Sequence, residues 1–398
     1  MKELNRGITL IVLVVTIIVL LILAGISISM LTGQNGILNR ASKARNSTEI
    51  ANMEEKRKIA QAEALMNLED TTYQGIAISK GFAPTKIEGE NSVDEGLVIT
   101  DGYGNEYVWI EVPKTIEVYQ TAGINITNFT DIEYGRIETD LHTYTNDYRD
   151  ETNSNDVYFE DSTNGWFTED GETSYDNAKK KMLKSVYQNG GFWVGRYEAG
   201  IENEADIRKA ASDTVTLIPV TKQNIFPYNY VTRTQAKVLA EKVESGSYTS
   251  SLMFGVQWDL VLKYMETKKA TTQFNLKTDS RTIGNYRNNL WKITNDNAKY
   301  SKKYGNNFTA CPNPYAKILN SSILLTTGAD TSFSLMNIYD IAGNVWEWTL
   351  EKMFNVNHHC SNRGGSFRST GVNYPASYRD STSTSYCSYS IGFRLSLY

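Results

Sequence analysis

The hydrophobic positions of the chain begin with one long apolar run near the N-terminus. Residues 8–31 carry no charge and are largely Ile, Leu and Val. As a helix rising 1.5 Å per residue, this run would span about 36 Å, which is enough to cross a bilayer core. A cleaved secretory signal has an apolar core of only about 7 to 15 residues, so the run is too long for one. The pattern predicts a single transmembrane helix at residues 8–31.

The next segment, residues 32–72, is predicted to be a helical stalk. Residues 37–68 contain neither Gly nor Pro and are rich in Ala, Glu, Lys and Arg, a composition that favours a helix. Apolar residues such as Ile50, Met53 and Ile59 recur there but form only a weak seam. Two interpretations stay open: the helix lifts the rest of the chain off the membrane, or it packs on the globular domain.

From about residue 73 the pattern changes to short runs of β-branched and aromatic residues separated by Gly, Asn and Thr, which predicts a strand-containing domain over residues 73–398. An acidic segment rich in Asn and Tyr at residues 121–177 is predicted to be a polar surface insertion. The clearest local patterns are strands at 107–112 and 192–197, and helices at 234–244 and 257–266.

Charge and cysteine usage exclude several classes of protein. The formal net charge of -5 lacks the basic footprint of a nucleic-acid-binding protein, so no nucleic-acid partner is expected. Cys311, Cys360 and Cys387 show no CxxC spacing, which argues against a zinc ribbon and a thioredoxin-like redox pair. An extracellular compartment would permit one disulfide between two of them, and the sequence does not choose the pair.

Residues 5–11, NRGITLI, resemble the processing site of type IV prepilins, in which a short basic leader ends in Gly. The resemblance implies a leader at residues 1–7 and cleavage between Gly7 and Ile8. It also implies a single-pass protein of the bacterial cell membrane with its C-terminal domain outside the cell. The chain departs from that family at Val12, where pilins usually carry the Glu that helps to dock subunits. A minor pilin, with pilin-like subunits as partners, is therefore an alternative interpretation.

Three C-terminal motifs are specific in their order and spacing: YDIAGNVWEW at 339–348, RGGSF at 363–367 and GFR at 392–394. They resemble the formylglycine-generating enzyme family, also called sulfatase-modifying factors. Similar landmarks upstream are VWI at 108–110, RYE at 196–198 and FGVQWD at 254–259. The resemblance covers residues 100–398. It implies an α+β fold, an irregular C-type-lectin-like domain in which the first and last strands pair, here preceded by the long membrane and stalk helix.

The motif residues themselves favour structural roles. Trp346 and Trp348 lie two positions apart, so on a strand they face one side and can supply buried area. Asn344 and Glu347 offer oxygen ligands of the kind that calcium takes, so they are a candidate calcium site. No other cofactor is predicted.

The catalytic chemistry of the family is not expected here. In its catalytic branch, two cysteines a few residues apart follow the RGGS motif and hold copper through soft thiolates. Residues 368–375 contain no cysteine, so the resemblance implies a noncatalytic member, and an enzyme of the family is the less favoured alternative. His358 and His359 beside Cys360 are either metal ligands or exposed loop residues.

Residues 355–398 form a tract of unusual composition. Lys, Glu, Gln, Met and Trp are absent from it, although all five types occur throughout the preceding residues. These are the types that codons ending in a pyrimidine cannot encode, so the set matches randomised adenines in AAC or AAT codons. The tract therefore resembles the variable region of diversity-generating-retroelement proteins, many of which carry a domain of this family. The alternative is an ordinary Tyr- and Ser-rich loop of a noncatalytic relative.

The tract is predicted to be a binding surface. Tyr supplies large, rigid contact area at little entropic cost, and Ser and Asn adapt their hydrogen bonds to many partners. The leading interpretation is thus a membrane-anchored, surface-displayed protein that binds an unknown protein or glycan outside the cell. The candidate contact residues are His358, His359, Ser369, Thr370, Asn373, Tyr374, Tyr378, Asp380, Tyr386, Ser388 and Tyr389.

Overall fold

A computed structural model describes residues 37–159, 171–302, 304–355 and 357–398, preceded by isolated positions within 13–20. The predicted leader, the processing site at Gly7 and Ile8, and nearly all of the predicted transmembrane run lie outside the described residues. Among the residues described, no helix has both the length and the apolar character needed to cross a membrane.

The chain divides into two compact units, Met1–Lys58 and Ile59–Tyr398. Within the second unit, the last two turns of the first helix pack on the domain. Ala60 and Ala64 are buried there, and the side chain of Leu65 lies against Gly102. Small residues allow this close approach between the helix and the domain surface.

The helices are α1 Ile37–Met66, α2 Asp131–Tyr144, α3 Gly171–Asn189, α4 Arg233–Glu241, α5 Gly255–Thr267 and α6 Gln273–Lys277. The first strands are β1 Thr71–Tyr73, β2 Ile76–Ile78, β3 Phe82–Pro84, β4 Val98–Asp101, β5 Glu106–Glu111, β6 Ser154–Asn155, β7 Gly191–Gly195, β8 Gly200–Ile201, β9 Phe226–Pro227, β10 Ser250–Leu252 and β11 Lys292–Ile293. The later strands are β12 Lys299–Lys302, β13 Thr309–Ala310, β14 Tyr315–Ala316, β15 Ile323–Leu325, β16 Ser334–Leu335, β17 Ile338–Tyr339, β18 Trp346–Met353, β19 Cys360–Arg363, β20 Arg379–Thr382, β21 Ile391–Phe393 and β22 Leu395–Leu397. The architecture is mixed α and β and rich in sheet, in agreement with the predicted α+β class.

The central sheet has the strand order β10, β22, β7, β5, β4, β3, and its neighbouring strands are antiparallel. Trp109 on β5 pairs with Trp193 on β7, and their rings meet edge to face with centroids 5.0 Å apart. Helix α3 contacts β7 and α5 contacts β5. Both strands are therefore buried along almost their whole length, as their apolar runs predict.

A second sheet, of order β20, β19, β18, β21, carries the family motifs. Strand β18 contains Trp346 and Trp348, both buried, and it runs parallel to β21 and antiparallel to β19. The short strand β6 pairs with the end of β18. The RGGSF and GFR motifs thus lie on or beside the two strands that flank the tryptophan strand.

Most of the local predictions are confirmed. The strands predicted at 107–112 and 192–197 are β5 and β7, and the helices predicted at 234–244 and 257–266 are α4 and α5. The expected pairing of the first and last strands is wrong, because β22 pairs with β7 and β10 while β1 forms a hairpin with β2.

The segment 121–177 is more than a surface loop. Its helix α2 buries Ile137 and Leu141, which lie one turn apart among polar residues. Asp156, further along the segment, is also fully buried. Two apolar positions at helical spacing are easily hidden by the surrounding acidic and Asn-rich composition, which explains why the sequence indicated only a surface insertion.

Candidate ligand-binding cleft

A polar cleft of about 880 Å³ opens beside the C-terminal tract. One wall comes from residues 147–153, in the turn after α2, and another from residues 372–381 of the tract. Met353 at the end of β18, the two residues that follow it and the exposed side chain of Lys277 complete the lining. The cleft therefore combines part of the tract with a segment that lies far from it in sequence.

The floor of the cleft is a buried group of acidic and basic side chains, which we name the cleft network. Its members are Arg149, Asp156, Asp259, Glu351, Arg363 and Arg379. The group holds three guanidinium groups and three carboxylates, so its formal charges balance.

Asp259 on α5 is the centre of the cleft network. Arg363 donates to one of its oxygens at 2.8 Å, and Arg149 donates to the other at 3.0 Å. Arg379 reaches both oxygens, at 2.8 and 2.6 Å. All of these side chains are at most 5% exposed, so the ion pairs form in a region from which water is largely excluded.

Glu351 on β18 binds two of the same arginines. Its oxygens accept from Arg379 at 2.8 Å and from Arg363 at 3.1 Å, and Ser154 donates to it at 2.8 Å. Burial alone would raise the pKa of Glu351, but Arg379, Arg363 and Arg149 together hold it well below its usual range. Glu351 is thus ionised in the folded protein.

Asp156 joins the cleft network to the start of a helix. Its two carboxylate oxygens accept from the backbone N–H groups of Gly255 and Val256, at 2.6 and 2.8 Å. These groups belong to the first turn of α5, which has no partner for them within the helix. The turn that supplies the cleft wall is thereby fixed to α5.

The candidate contact residues divide by exposure. His358, Asn373, Tyr378 and Tyr386 are exposed, whereas His359, Thr370, Tyr374, Asp380, Ser388 and Tyr389 are half-buried. Three of these residues, Asn373, Tyr378 and Asp380, line the cleft. The structure therefore brings part of the candidate set together around one concave surface.

Ser369 does not lie at the surface as predicted. It is only 8% exposed, and its hydroxyl lies 3.2 Å from both the backbone N–H and the hydroxyl of Ser366. Its carbonyl accepts from the backbone N–H of Arg287. These contacts fix the turn after the RGGSF motif, so Ser369 supports the loop and is not placed to contact a ligand.

The tyrosines of the tract form two separate aromatic groups. Beside the cleft, Tyr374 and Tyr378 meet edge to face at 5.0 Å, and both rings lie within about 6 Å of Trp346. Tyr389 lies outside the cleft lining, with Tyr304 at 5.5 Å, and the guanidinium of Arg368 lies over its ring at 5.2 Å. The candidate residues therefore do not converge on a single site.

The two adjacent histidines have different surroundings. His359 stacks obliquely on Phe159, with ring centroids 4.1 Å apart. His358 is exposed and lies near Asp380. Burial raises the pKa of Asp380, and the neighbouring His358 acts in the opposite direction. Over the part of the chain that the structure describes, no three His, Cys, Asp or Glu side chains are arranged to hold a metal ion.

The two residues considered as calcium ligands are engaged elsewhere. Both oxygens of Glu347 accept from Arg394, at 2.7 and 3.0 Å. Asn344 accepts from the backbone N–H of Leu325 at 3.1 Å and donates to Glu198 at 2.6 Å. The positive φ of 55° at Asn344 is a conformation that Asn tolerates better than most residues. Both motif positions therefore serve internal hydrogen bonding.

Glu198, Asp340 and Glu347 surround Arg394, and we name these four residues the carboxylate cluster. All three carboxyl groups are buried, and among the described residues the guanidinium group that faces them is that of Arg394. Burial raises the pKa of Asp340 to about 7, and burial with the neighbouring carboxylates raises the pKa of Glu198. At least one of these groups therefore holds a proton near neutral pH.

Sequence reasoning missed the cleft wall at 147–153 and the arginines beneath it. Arg149 lies in a polar segment where nothing in the spacing sets it apart from other charged residues. A signal did exist for Asp259 and Arg363, because each belongs to a family landmark that carries a charged residue next to apolar or glycine positions. Such a charge is a candidate for a buried ion pair.

The chain is similar to several solved structures, including the following two. Treponema denticola variable protein 1 is 14% identical, with a TM-score of 0.29 over 52% of this chain and 84% of that chain. A structure titled Crystal Structure of CarF is 13% identical, with a TM-score of 0.20 over 73% of this chain and 85% of that chain.

No curated protein matches the sequence. The family model described as "Sulfatase-modifying factor enzyme 1-like domain" matches residues 169–397, which is more than half of the chain. The protein therefore belongs to the sulfatase-modifying factor family, which the motifs of the tryptophan strand and its two neighbours indicated.

Proposed function

We propose that this protein is a noncatalytic ligand-binding protein whose binding surface is the cleft and the exposed part of residues 355–398. The observation that carries the proposal is the construction of the cleft. Exposed side chains such as Asn373 and Tyr378 stand on a floor of buried, charge-balanced ion pairs. A rigid support beneath adaptable polar and aromatic contacts is the arrangement that binding proteins need.

The same surface offers little for catalysis. Residues 368–375, where the catalytic branch of the family carries its cysteine pair, contain no cysteine. The arginines and carboxylates under the cleft form ion pairs with one another, so these groups are already engaged and are poorly placed to transfer a proton or to bind a metal ion. These features support binding over an enzyme of the formylglycine-generating type.

Binding is tested by screening the full-length protein, in detergent, against arrays of peptides and glycans. A parallel screen uses Asn373→Trp, which places a bulky indole ring in the cleft. The control is Asn297→Trp, at an exposed position outside the cleft lining. We expect ligands that bind the wild type and the control but not Asn373→Trp. Ligands that bind all three equally, or none at all, would contradict the proposal.

We further propose that residues 8–31 anchor the protein in a bacterial membrane and that residues 59–398 are displayed outside the cell. The support is the length of the uncharged run and the prepilin-like sequence that ends at Gly7. Protease treatment of intact cells should digest a tag placed after Tyr398, while carbonate washing should leave the protein in the membrane fraction. A protected tag or a washed-out protein would refute the proposal.

Diversification of the tract is a separate part of the proposal. The support is the absence of the five residue types from residues 355–398. Deep sequencing of a population of the source bacterium should find substitutions concentrated in this tract and at adenines of its template. Uniform variation along the gene would leave a fixed binding surface, or the alternative of a minor pilin, for which Val12 removes the usual docking carboxylate.

A further inference from the structure

We propose that the cleft binds a positively charged peptide segment, with a Lys or Arg side chain seated between Asp150, Asp380 and the ring of Tyr378. This inference rests on the proposed binding function and adds the chemical class of the ligand. It follows from the charges that the cleft leaves unpaired, from its aromatic wall and from its size.

The arginines in the cleft lining contribute no free positive charge. Arg149 and Arg379 are 1% and 5% exposed, and their guanidinium groups face the buried carboxylates of Asp259 and Glu351. Together with Arg363 and Asp156 these groups form the cleft network, in which three positive and three negative charges balance. A ligand in the cleft therefore meets a floor with no net charge.

The remaining charged groups of the lining are mainly acidic. They are Asp147, Asp150 and Asp380, opposed by the exposed Lys277. Asp147 is partly compensated by Lys263 at 3.3 Å. Among the described residues, the side chain that donates to the carboxylate of Asp150 is the uncharged Asn153, at 3.1 and 2.9 Å. The cleft thus carries excess negative charge, which attracts a cation and repels an anion.

The aromatic wall suits the same kind of ligand. Tyr378 and Phe354 both line the cleft, and they are 37% and 45% exposed. The face of an aromatic ring attracts an ammonium or guanidinium group. Arg368 shows this contact elsewhere on the tract, since its guanidinium lies over the ring of Tyr389.

The size of the cleft indicates more than one side chain. A volume of about 880 Å³ lies near the upper end of the usual range for ligand sites. Asn153, Asn355 and Asn373 add amide groups that both donate and accept, as a peptide backbone requires. A basic side chain with its neighbouring backbone fits this combination better than an isolated amine.

The test uses the full-length protein in detergent and three labelled peptides measured by fluorescence anisotropy. All three share a Gly/Ser sequence, in which two central positions are Lys and Arg, both Gln, or both Glu. We expect the Lys/Arg peptide to bind about tenfold more tightly than the Gln peptide, and the Glu peptide to bind most weakly. Equal binding of the three peptides would overturn the inference.

Two charge variants show whether the cleft is responsible. The double variant Asp150→Asn with Asp380→Asn should weaken binding of the Lys/Arg peptide about tenfold. Asp206→Asn removes an exposed charge outside the cleft lining and should leave that affinity unchanged. If Asp206→Asn weakens binding by half as many powers of ten as the double variant, which removes twice the charge, only the net charge of the chain matters and the inference fails.

The outcome separates this inference from the proposed function. If array ligands that require an open cleft prove to be neutral or acidic, the binding function stands and the cationic class is wrong. If no array ligand responds to Asn373→Trp, the binding function itself fails.

Discussion

Two of the buried groups of charged side chains in the described part of the chain differ in charge balance. The cleft network matches three carboxylates with three guanidinium groups, whereas the carboxylate cluster sets three carboxyl groups around Arg394 alone. Glu351 and Asp340 are equally buried, yet the pKa of Glu351 is far below its usual range and that of Asp340 is raised to about 7. Because Glu351 and Asp340 are similarly buried, the facing cations and not the depth of burial separate these two carboxyl groups. Within the cleft network, burial still raises the pKa of Asp156, although Arg149 lowers it.

The largest effect is expected from removing a charge at the centre of the balanced group. Asp259→Asn leaves Arg149, Arg363 and Arg379 with one carboxylate fewer, and its amide cannot accept from all three. Breaking a buried ion pair on one side usually costs about 3–5 kcal/mol, because the remaining charge stays buried without compensation. Urea unfolding at neutral pH, followed by tryptophan fluorescence, measures this loss.

The control for this change is Asp206→Asn, an identical substitution at an exposed position. It should alter the free energy of unfolding by less than about 0.5 kcal/mol. A loss in Asp259→Asn no greater than in this control would mean that the arginines find other partners, and the cleft network would not be a rigid floor.

The same substitution in the carboxylate cluster should have the opposite sign. Asp340→Asn removes one of the three carboxyl groups, keeps an oxygen that can accept from the Gly328 N–H, and suits the positive φ of 57°. At pH 8 we expect a gain of about 2 kcal/mol in the free energy of unfolding, since the ionised Asp340 is unfavourable in the folded chain. A loss in the same urea experiment would show that the cluster does not limit stability.

The two buried groups also show which parts of the fold and of the cleft the sequence could predict. The strands β5 and β7, the helices α4 and α5, and the family motifs follow from local pattern, because apolar periodicity and motif spacing are local properties. Pairing of residues far apart is not local. Arg149 and Asp259 are separated by 110 positions, and nothing in the sequence distinguishes Arg149 from an exposed charge. The cleft wall was missed for this reason.

The candidate contact residues show the same limit. The composition of residues 355–398 predicts a surface of polar and aromatic side chains, but composition does not distinguish a serine that faces solvent from one that closes a turn. Ser369 is of the second kind, while Asn373 four residues later is exposed. Only the path of the backbone after the RGGSF motif separates them.

The two groups should respond to pH in opposite directions. Asp340 has a folded pKa of about 7, above the value of about 3.9 for an unfolded chain. Between these values the folded protein keeps a proton that the unfolded chain has released, so the stability contributed by Asp340 falls as pH rises from about 4 to about 7. The lowered pKa of Glu351 acts in reverse, with stability that is present above the unfolded pKa and is lost as pH falls.

A pH series of urea unfolding on the wild type and Asp340→Asn isolates the first contribution. The advantage of the variant should grow across this window, by about 2 kcal/mol in total, and then level off. A constant difference between the two proteins from pH 4 to pH 8 would mean that Asp340 titrates normally, and the contrast between the two groups would disappear.

The smallest effects are expected within the tract, where supporting and contact positions alternate. Ser369→Ala removes the hydroxyl that accepts from the Ser366 N–H, so a loss of about 1 kcal/mol in the free energy of unfolding is expected. Asn373→Ala, at an exposed cleft position, should change it by less than about 0.5 kcal/mol. Urea unfolding of both variants under one condition compares them directly. If Asn373→Ala lowers the free energy of unfolding as much as Ser369→Ala does, the exposed residues also support the fold. A binding surface that must tolerate substitution could then not be built from them.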